Sequence, residues 1–234
     1  MRLLLIRHGQ TPSNITMALD TAFPGPGLTA LGHRQAHSLP SVEATREEFH
    51  EVAGVYASPL VRTQLTAAPL ATSLGLRTMV QDGLEEIAAG ELEMATDKRS
   101  ITTYIETLGA WIGGDLDRRM PGGGDGHEFR GRYDGALTRI AAEHDDDQLV
   151  AAFSHGAAIR TFAALATSLE PAAAADLHIA NTGAGLFEGR PETGWRLRQW
   201  WGDPIGGAHL RDDDAHDIVG ESLEDAVEEA HEEG

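Results

Sequence analysis

Three short and mostly apolar segments constrain the fold of this chain more than any other feature of its sequence. They cover residues 2–6, 54–57 and 148–153, and Arg7-His8-Gly9 follows the first. Apolar residues at consecutive rather than alternate positions are typical of strands that are buried on both faces. Such strands occur in parallel sheets that helices cover on both sides.

Segments with helical patterning lie between these strands. The predicted helices are residues 29–39, 60–74, 101–111, 128–144 and 157–169, and further strands are predicted at 77–81, 185–188 and 195–201. Strands that alternate with helices predict a three-layer α/β/α sandwich with a mostly parallel central sheet. In sheets of this kind the binding and catalytic residues lie beyond the carboxyl ends of the strands.

The charge of the chain is unevenly distributed. The 234 residues carry a formal net charge of −19, and the segment from Asp203 onward is strongly acidic. We therefore predict one folded domain over residues 1–202 and an acidic tail over residues 203–234, with a short helix after the capping box at Ser222. A strongly negative net charge argues against nucleic acid or an anionic membrane as a partner.

Composition also limits the cellular compartment that we expect and the kinds of site that the chain can form. The chain has no cysteine, which excludes disulfides, thiolate metal sites and cysteine nucleophiles. The apolar run at the N-terminus is too short for a signal peptide or a membrane span, so we expect a cytoplasmic protein. The sequence gives no indication of the oligomeric state.

Two histidines follow buried strands, and each precedes a glycine. His8 comes directly after the first strand, and His155 follows the strand that ends at Phe153. Carboxyl ends of parallel strands share one edge of a sheet, so we expect both side chains to face one crevice. Arg7 and Arg62 can supply bidentate donors that suit phosphate oxygens, although a surface ion pair is the simpler expectation for Arg62 alone.

The ordered series of motifs resembles the histidine phosphatase superfamily, also called the phosphoglycerate mutase-like family. The opening block contains Arg7-His8-Gly9-Gln10-Thr11 and Asn14, and Ser154-His155-Gly156 belongs to the second histidine block. The blocks that resemble the family are residues 4–14, 28–36, 57–67, 84–90, 121–132 and 153–160. They occur in the family's order and leave only the acidic tail outside.

The resemblance implies a role for each matching residue. His8 is the expected nucleophile, which becomes a phosphohistidine, and its second ring nitrogen should donate to a backbone acceptor. Arg7, Arg62 and His155 are expected to surround the phosphoryl oxygens. Asn14 and Gly156 are expected to contact the substrate, a small phosphorylated metabolite. The resemblance implies no metal and no cofactor.

The acid is one of several neighbouring glutamates. Glu86 is expected to protonate the leaving oxygen and then to activate water, because Gly90 follows it at the family's spacing. We expect Glu85, Glu91 and Glu93 to form a solvated acidic face instead.

Three functions are compatible with these residues. We favour a phosphatase, because Ser13 replaces the aromatic residue that precedes the asparagine in mutases. A cofactor-dependent phosphoglycerate mutase is the first alternative, which Arg118 and Arg119 keep open as candidate substrate-binding cations. A non-catalytic binding module on the same fold is the second alternative.

Overall fold

One mixed sheet forms the centre of the protein. The computed structural model describes residues 1–167 and 169–212, and the helix predicted after Ser222 lies outside them. The strands of the described part are β1 Arg2–Arg7, β2 Val52–Ala57, β3 Thr78–Val80, β4 Leu149–Ser154, β5 Ala184–Arg190 and β6 Gly194–Trp201. Each strand predicted from the sequence is present, with its ends shifted by a few residues.

The strand order places three carboxyl ends side by side. The order is β3-β2-β4-β1-β5-β6, in which the first four strands are parallel, whereas β5 and β6 run antiparallel to their neighbours. The predicted mostly parallel sheet is therefore confirmed. Since β4 lies between β2 and β1, the residues that follow these strands, Ser58, His155 and His8, begin at adjacent points of one sheet edge.

Helices connect and cover the strands. They are α1 Pro12–Ile15, α2 Ala30–Thr45, α3 Val61–Ser73, α4 Lys98–Ile112, α5 Gly126–Ala141, α6 Gly156–Ala166 and α7 Pro171–Ala175. The sequence did not predict the short helices α1 and α7, and it ended α2 too early, at residue 39. Helix α2 continues through Pro40 because Leu39 and Val42 are both buried in the core, which offsets the hydrogen bond that proline cannot make. Within the described residues, no helix is both long enough and apolar enough to cross a membrane.

The two faces of the sheet carry separate apolar cores. One core packs Leu4, Ile6 and Phe153 against side chains of α2 and α3. The other packs Leu3 and Leu5 from the opposite face of β1 against side chains of α4, α5 and α6. Successive residues of β1 thus enter opposite cores, which explains why this strand is apolar throughout. The predicted three-layer arrangement is confirmed.

The residues after 202 remain part of the folded body as far as the structure describes them. Ile205 and Leu210 are buried, and the Ile205 N–H donates to the Thr182 carbonyl (3.1 Å). The Gln10 side chain, two residues after His8, donates to the Asp212 carboxylate at 2.6 Å. The body therefore extends past the boundary predicted at residue 202, because two apolar side chains anchor this segment.

Candidate active site

The turn after β1 fixes the backbone of His8. The His8 N–H donates to the Ser154 carbonyl at the end of β4 (3.1 Å), so the chain stays in register one residue beyond the strand. Gly9 then passes close to the start of α2, where a Cβ on Gly9 would lie 2.8 Å from the Gly32 carbonyl oxygen. Real Cβ atoms do not approach oxygen so closely, so this packing requires glycine at position 9.

One hydrogen bond sets the tautomer of His8. Its Nδ1 lies 2.8 Å from the Gly9 carbonyl oxygen, and a carbonyl oxygen can only accept. Nδ1 therefore carries the proton, and Nε2 carries the lone pair that a nucleophile needs. Burial lowers the pKa of His8 well below 6.5, and the positive charges of Arg62 and Arg7 lower it further. His8 is thus neutral at physiological pH, with an unprotonated Nε2.

The second histidine is oriented by a hydroxyl on the neighbouring strand end. His155 is fully buried, and its Nε2 lies 2.8 Å from Ser58 Oγ. Its Nδ1 is buried without a hydrogen-bond partner among the described residues. If Ser58 donates to Nε2, Nδ1 carries the proton and becomes a free donor, the arrangement that a phosphate oxygen requires. Burial lowers the pKa of His155, chiefly by desolvation, so the ring is neutral.

The two imidazoles lie close to each other. Their ring centroids are 5.3 Å apart, with 60° between the ring planes. The structure therefore places the two predicted histidines side by side, and the crevice that they were expected to face stays a prediction.

Arg62 is buried rather than exposed in a surface ion pair. It lies in the first turn of α3, where the helix dipole disfavours a positive charge. Its Nη2 donates to the Asp20 carbonyl (3.0 Å), and its Nη1 lies 3.8 Å from the Asp20 carboxylate. Nη1 makes no hydrogen bond within the described part of the chain, although it is buried. A buried guanidinium with an unused donor indicates an anion site beside it.

Two further predicted residues are held by backbone and amide contacts. Arg7 is completely buried, and its Nη1 donates to the Ile179 carbonyl (2.8 Å). The side-chain oxygen of Asn14 accepts from the Thr11 N–H (2.9 Å) and from the Asn181 amide (3.3 Å). These bonds identify which end of the Asn14 amide is oxygen and leave its NH₂ group as the donor end.

Glu86 is placed by the N-terminus of α6. Its two carboxylate oxygens accept from the N–H groups of Ile87 (2.8 Å), Ala158 (2.8 Å) and Ala157 (3.2 Å). The helix has no cap from its own N-cap residue, so Glu86 takes that role from a distant loop. Burial raises the pKa of Glu86, and this effect exceeds the opposing effect of the hydrogen bonds. A carboxyl with a raised pKa keeps its proton to a higher pH than an ordinary glutamate does, which favours a role as an acid catalyst.

The other glutamates of this segment do not reach the same cavity. Glu85 pairs with Arg132 at 2.9 Å, and Glu93 accepts the N–H groups of Thr21 (2.8 Å) and Ala22 (2.9 Å). The expectation of a solvated acidic face is therefore wrong for Glu85 and Glu93, because both are half-buried and bonded. It is confirmed for Glu91, which is exposed.

Several of the predicted site residues line one small cavity. Residues with polar side chains line it, among them His8, Asn14, Asp20, Thr21, Arg62 and Glu86. Gly156 begins α6 next to the two N–H groups that bind Glu86, and its predicted contact with substrate stays a prediction. The structure thus brings the predicted nucleophile, the acid and one arginine to one space.

Sequence reasoning missed several residues of this site. Ser58 lies in the motif block of residues 57–67 but was assigned no role, although its hydroxyl bonds His155. Thr66 accepts from the Gly9 N–H (2.9 Å), and Asn181 donates to the His8 carbonyl (3.1 Å). Asp20 lies in a loop with no recognisable pattern. Only the Ser-Pro pair after a buried strand offered a signal in advance.

A comparison with known proteins identifies the family of this chain. Residues 3–203 match the model of the histidine phosphatase superfamily (branch 1). The chain is 36% identical over 219 residues to the PE-PGRS family protein PE_PGRS11 of Mycobacterium tuberculosis, covering 88% of this chain. It spans only 37% of that relative's length. A probable phosphoglycerate mutase of Yersinia enterocolitica is 29% identical, with 90% of this chain and 95% of the relative covered.

Solved structures share the fold. The native structure of a mycobacterial glucosyl-3-phosphoglycerate phosphatase superposes with a TM-score of 0.69 at 24% identity, over 85% of this chain and 97% of that one. A putative α-ribazole-5′-phosphate phosphatase from Escherichia coli gives a TM-score of 0.64 at 25% identity, over 86% and 96%. The family match extends over most of the chain and includes both histidine motifs. This chain belongs to branch 1 of the histidine phosphatase superfamily.

Proposed function

We propose that this protein is a phosphatase that hydrolyses a small phosphorylated metabolite through a phosphohistidine on His8. The observation that carries the proposal is the hydrogen bond from His8 Nδ1 to the Gly9 carbonyl (2.8 Å). It leaves Nε2 as the basic nitrogen, in the cavity that Arg62 and Glu86 also line. A nucleophile, an acid and a cation at one anion site are the parts that phosphoryl transfer requires.

In the first transfer, the lone pair of His8 Nε2 attacks phosphorus, and the bond from phosphorus to the alcohol oxygen breaks. Glu86 gives its proton to the departing oxygen, so a neutral alcohol leaves. Arg62 and His155 Nδ1–H donate to the phosphoryl oxygens as charge develops on them. The Gly9 carbonyl keeps the proton on Nδ1 and stabilises the charge that the phosphorylated ring acquires.

In the second transfer, a water oxygen attacks phosphorus. The Glu86 carboxylate takes a proton from this water, and the electron pair of the N–P bond returns to His8 Nε2. Inorganic phosphate then leaves, and both residues regain their starting protonation states. The N-terminus of α6 supports the charged form of Glu86 in this half of the cycle through two backbone N–H groups.

The arginines that could serve a mutase are already engaged. Arg118 pairs with Glu106 at 3.2 Å, and Arg119 pairs with Asp125 at 2.8 Å and Glu128 at 3.3 Å. Their charges are balanced by acids of the same region, which argues against a basic insert that holds a phosphoglycerate.

The residue that precedes Asn14 also supports the phosphatase. Mutases of the family carry an aromatic side chain there, whereas Ser13 directs its hydroxyl to Asp20 (2.6 Å). We therefore favour water over a second substrate hydroxyl as the acceptor.

A labelling experiment tests the proposal. The protein is mixed with ³²P-labelled phosphomonoesters and quenched at short times, and label is measured on His8, in free phosphate and in phosphoglycerates. Transient label on His8 with release of free phosphate is the expected result. Label that passes between the 2- and 3-phosphoglycerates would assign a mutase instead. No labelling with any phosphomonoester would support the non-catalytic module.

A further inference from the structure

Asp20 places a second carboxylate beside the proposed phosphate site. Its side chain lines the cavity that contains His8 and Arg62, and only 12% of it is exposed. One carboxylate oxygen, Oδ2, accepts from the Ser13 hydroxyl (2.6 Å). The other, Oδ1, has no donor at hydrogen-bond distance within residues 1–167 and 169–212, since Arg62 Nη1 lies 3.8 Å away. Oδ1 is therefore an open acceptor next to the proposed phosphate site.

The charge of Asp20 affects what can bind close to it. Arg62 must attract the phosphoryl group, yet it already lies beside the negative charge of Asp20. A second negative charge on the leaving group would meet this carboxylate at short range in a partly buried place, where repulsion is weakly screened. A hydroxyl or ammonium group on the leaving alcohol would instead supply the donor that Oδ1 lacks.

A larger groove adjoins the cavity and can hold the leaving group. It has a volume of about 650 Å³, and Thr21 and Glu86 line both spaces. Ile87, Trp111 and Phe129 provide apolar parts of its wall. The leaving group therefore has room on the side where the proposed acid, Glu86, lies.

One of the two arginines that line this groove is already paired with a carboxylate. Arg132 donates to the carbonyls of Gly83 and Glu85 (3.0 Å each) and pairs with the Glu85 carboxylate. Arg139 donates to the Asp82 carbonyl at 2.6 Å. Both guanidinium groups thus hold the loop that carries Glu86, and the charge of Arg132 is already balanced by Glu85.

We propose that Asp20 determines substrate specificity. It favours phosphomonoesters whose leaving alcohol is neutral or cationic and carries a hydroxyl or ammonium donor near the phosphate, and it disfavours leaving alcohols with a carboxylate. This inference rests on the proposed phosphatase function, since it names the substrate class of the same site. Asp20→Asn removes the charge, and its side-chain oxygen can still accept from Ser13.

Two isosteric substrates provide the test. Glycerol 3-phosphate and 3-phosphoglycerate differ mainly in a terminal hydroxymethyl against a carboxylate, and kcat/KM for each is measured by phosphate release. We expect the wild type to prefer glycerol 3-phosphate and Asp20→Asn to reduce that preference about tenfold, as loss of a nearby like charge predicts. An unchanged preference in Asp20→Asn would overturn the proposal.

Glu91→Gln is the matched control. It removes one negative charge from an exposed residue that lines neither the groove nor the cavity, so the preference should stay that of the wild type. An equal change in Glu91→Gln would show a general charge effect and also overturn the proposal.

Binding separates this inference from the proposed function. Calorimetry with His8→Ala protein, with and without Asp20→Asn, compares the affinities of the same two esters without turnover. If the wild type releases no phosphate from any ester, the phosphatase proposal fails. The affinity ratio then still tests Asp20, which is refuted if the ratio is the same in both proteins.

Discussion

Replacement of Glu86 by glutamine tests the proposed acid while keeping most of the cap on α6. The remaining side-chain oxygen can still accept from Ile87 and Ala158, and only the 3.2 Å bond from Ala157 is lost. That loss costs about 1 kcal/mol. Against it, burial raises the pKa of Glu86 and thus disfavours its charged form, a penalty that a neutral glutamine avoids. We therefore expect the free energy of unfolding at pH 7 to change by no more than about 1 kcal/mol.

The effect on catalysis should be much larger. A positioned acid or base contributes roughly 10²- to 10⁴-fold, so kcat/KM for an alkyl phosphate should fall by about that factor. The wild-type kcat/KM should decrease as pH rises through the raised pKa of Glu86, because the first transfer needs the protonated form. Glu86→Gln should lack this decrease, since glutamine does not titrate.

An aryl ester separates the two roles of Glu86. The phenolate of p-nitrophenyl phosphate leaves without a proton, so Glu86→Gln should still phosphorylate His8 but should hydrolyse the phosphohistidine slowly. Stopped-flow absorbance should show a burst of about one nitrophenolate per enzyme, followed by slow turnover. Turnover of both substrates at the wild-type rate would refute the assignment.

Glu85→Gln is the control for these measurements. It makes the same substitution at the adjacent residue, which pairs with Arg132 outside the small cavity. We expect it to lose much less activity than Glu86→Gln does. A loss equal to that of Glu86→Gln would show that the region as a whole, and not one carboxyl, is needed.

Three more predictions concern the histidines. His8→Ala should reduce hydrolysis by about 10⁴-fold or more while circular dichroism stays unchanged, and residual activity near the wild-type level would exclude His8 as the nucleophile. Burial lowers the pKa of His8 and His155, so below pH 6.5 the unfolded chain binds more protons than the folded one. As the pH is lowered, the free energy of unfolding should therefore decrease by up to about 1.4 kcal/mol per pH unit for each histidine. Urea titrations should show a weaker dependence of stability on pH for His8→Ala than for the wild type, and an equal dependence would contradict this. Ser58→Ala should cost about 1–3 kcal/mol and weaken inhibition by phosphate, because His155 Nε2 loses its hydroxyl partner; unchanged inhibition would argue against that orientation.

The strands were predictable because their signal is local. β1 and β4 are apolar at nearly every position, and that pattern has one explanation in a sheet covered on both faces. The end of α2 was not predictable from residues near it. Pro40 is a strong stop signal in sequence, and the burial of Val42 two residues further outweighs it.

The residues of the candidate site divide in the same way. His8 and His155 follow buried strands, so their shared edge could be inferred from topology alone. The choice of Glu86 over Glu85 depended on family spacing, and in the structure the N–H groups of a helix 71 positions away hold its carboxylate. Asp20 carried no signal, because its proximity to Arg62 arises from the path of a loop.

The sequence by itself determined the layered fold, the edge at which chemistry gathers and the two histidines there. These follow from hydrophobic periodicity and strand ends, which neighbouring residues encode. Only the tertiary structure decided which nitrogen of His8 is basic, which glutamate is buried and which anion faces Arg62. The His8 tautomer depends on the turn that brings the Gly9 carbonyl to its ring. The other two properties depend on hydrogen bonds and burial between segments far apart in the chain, which no local pattern records.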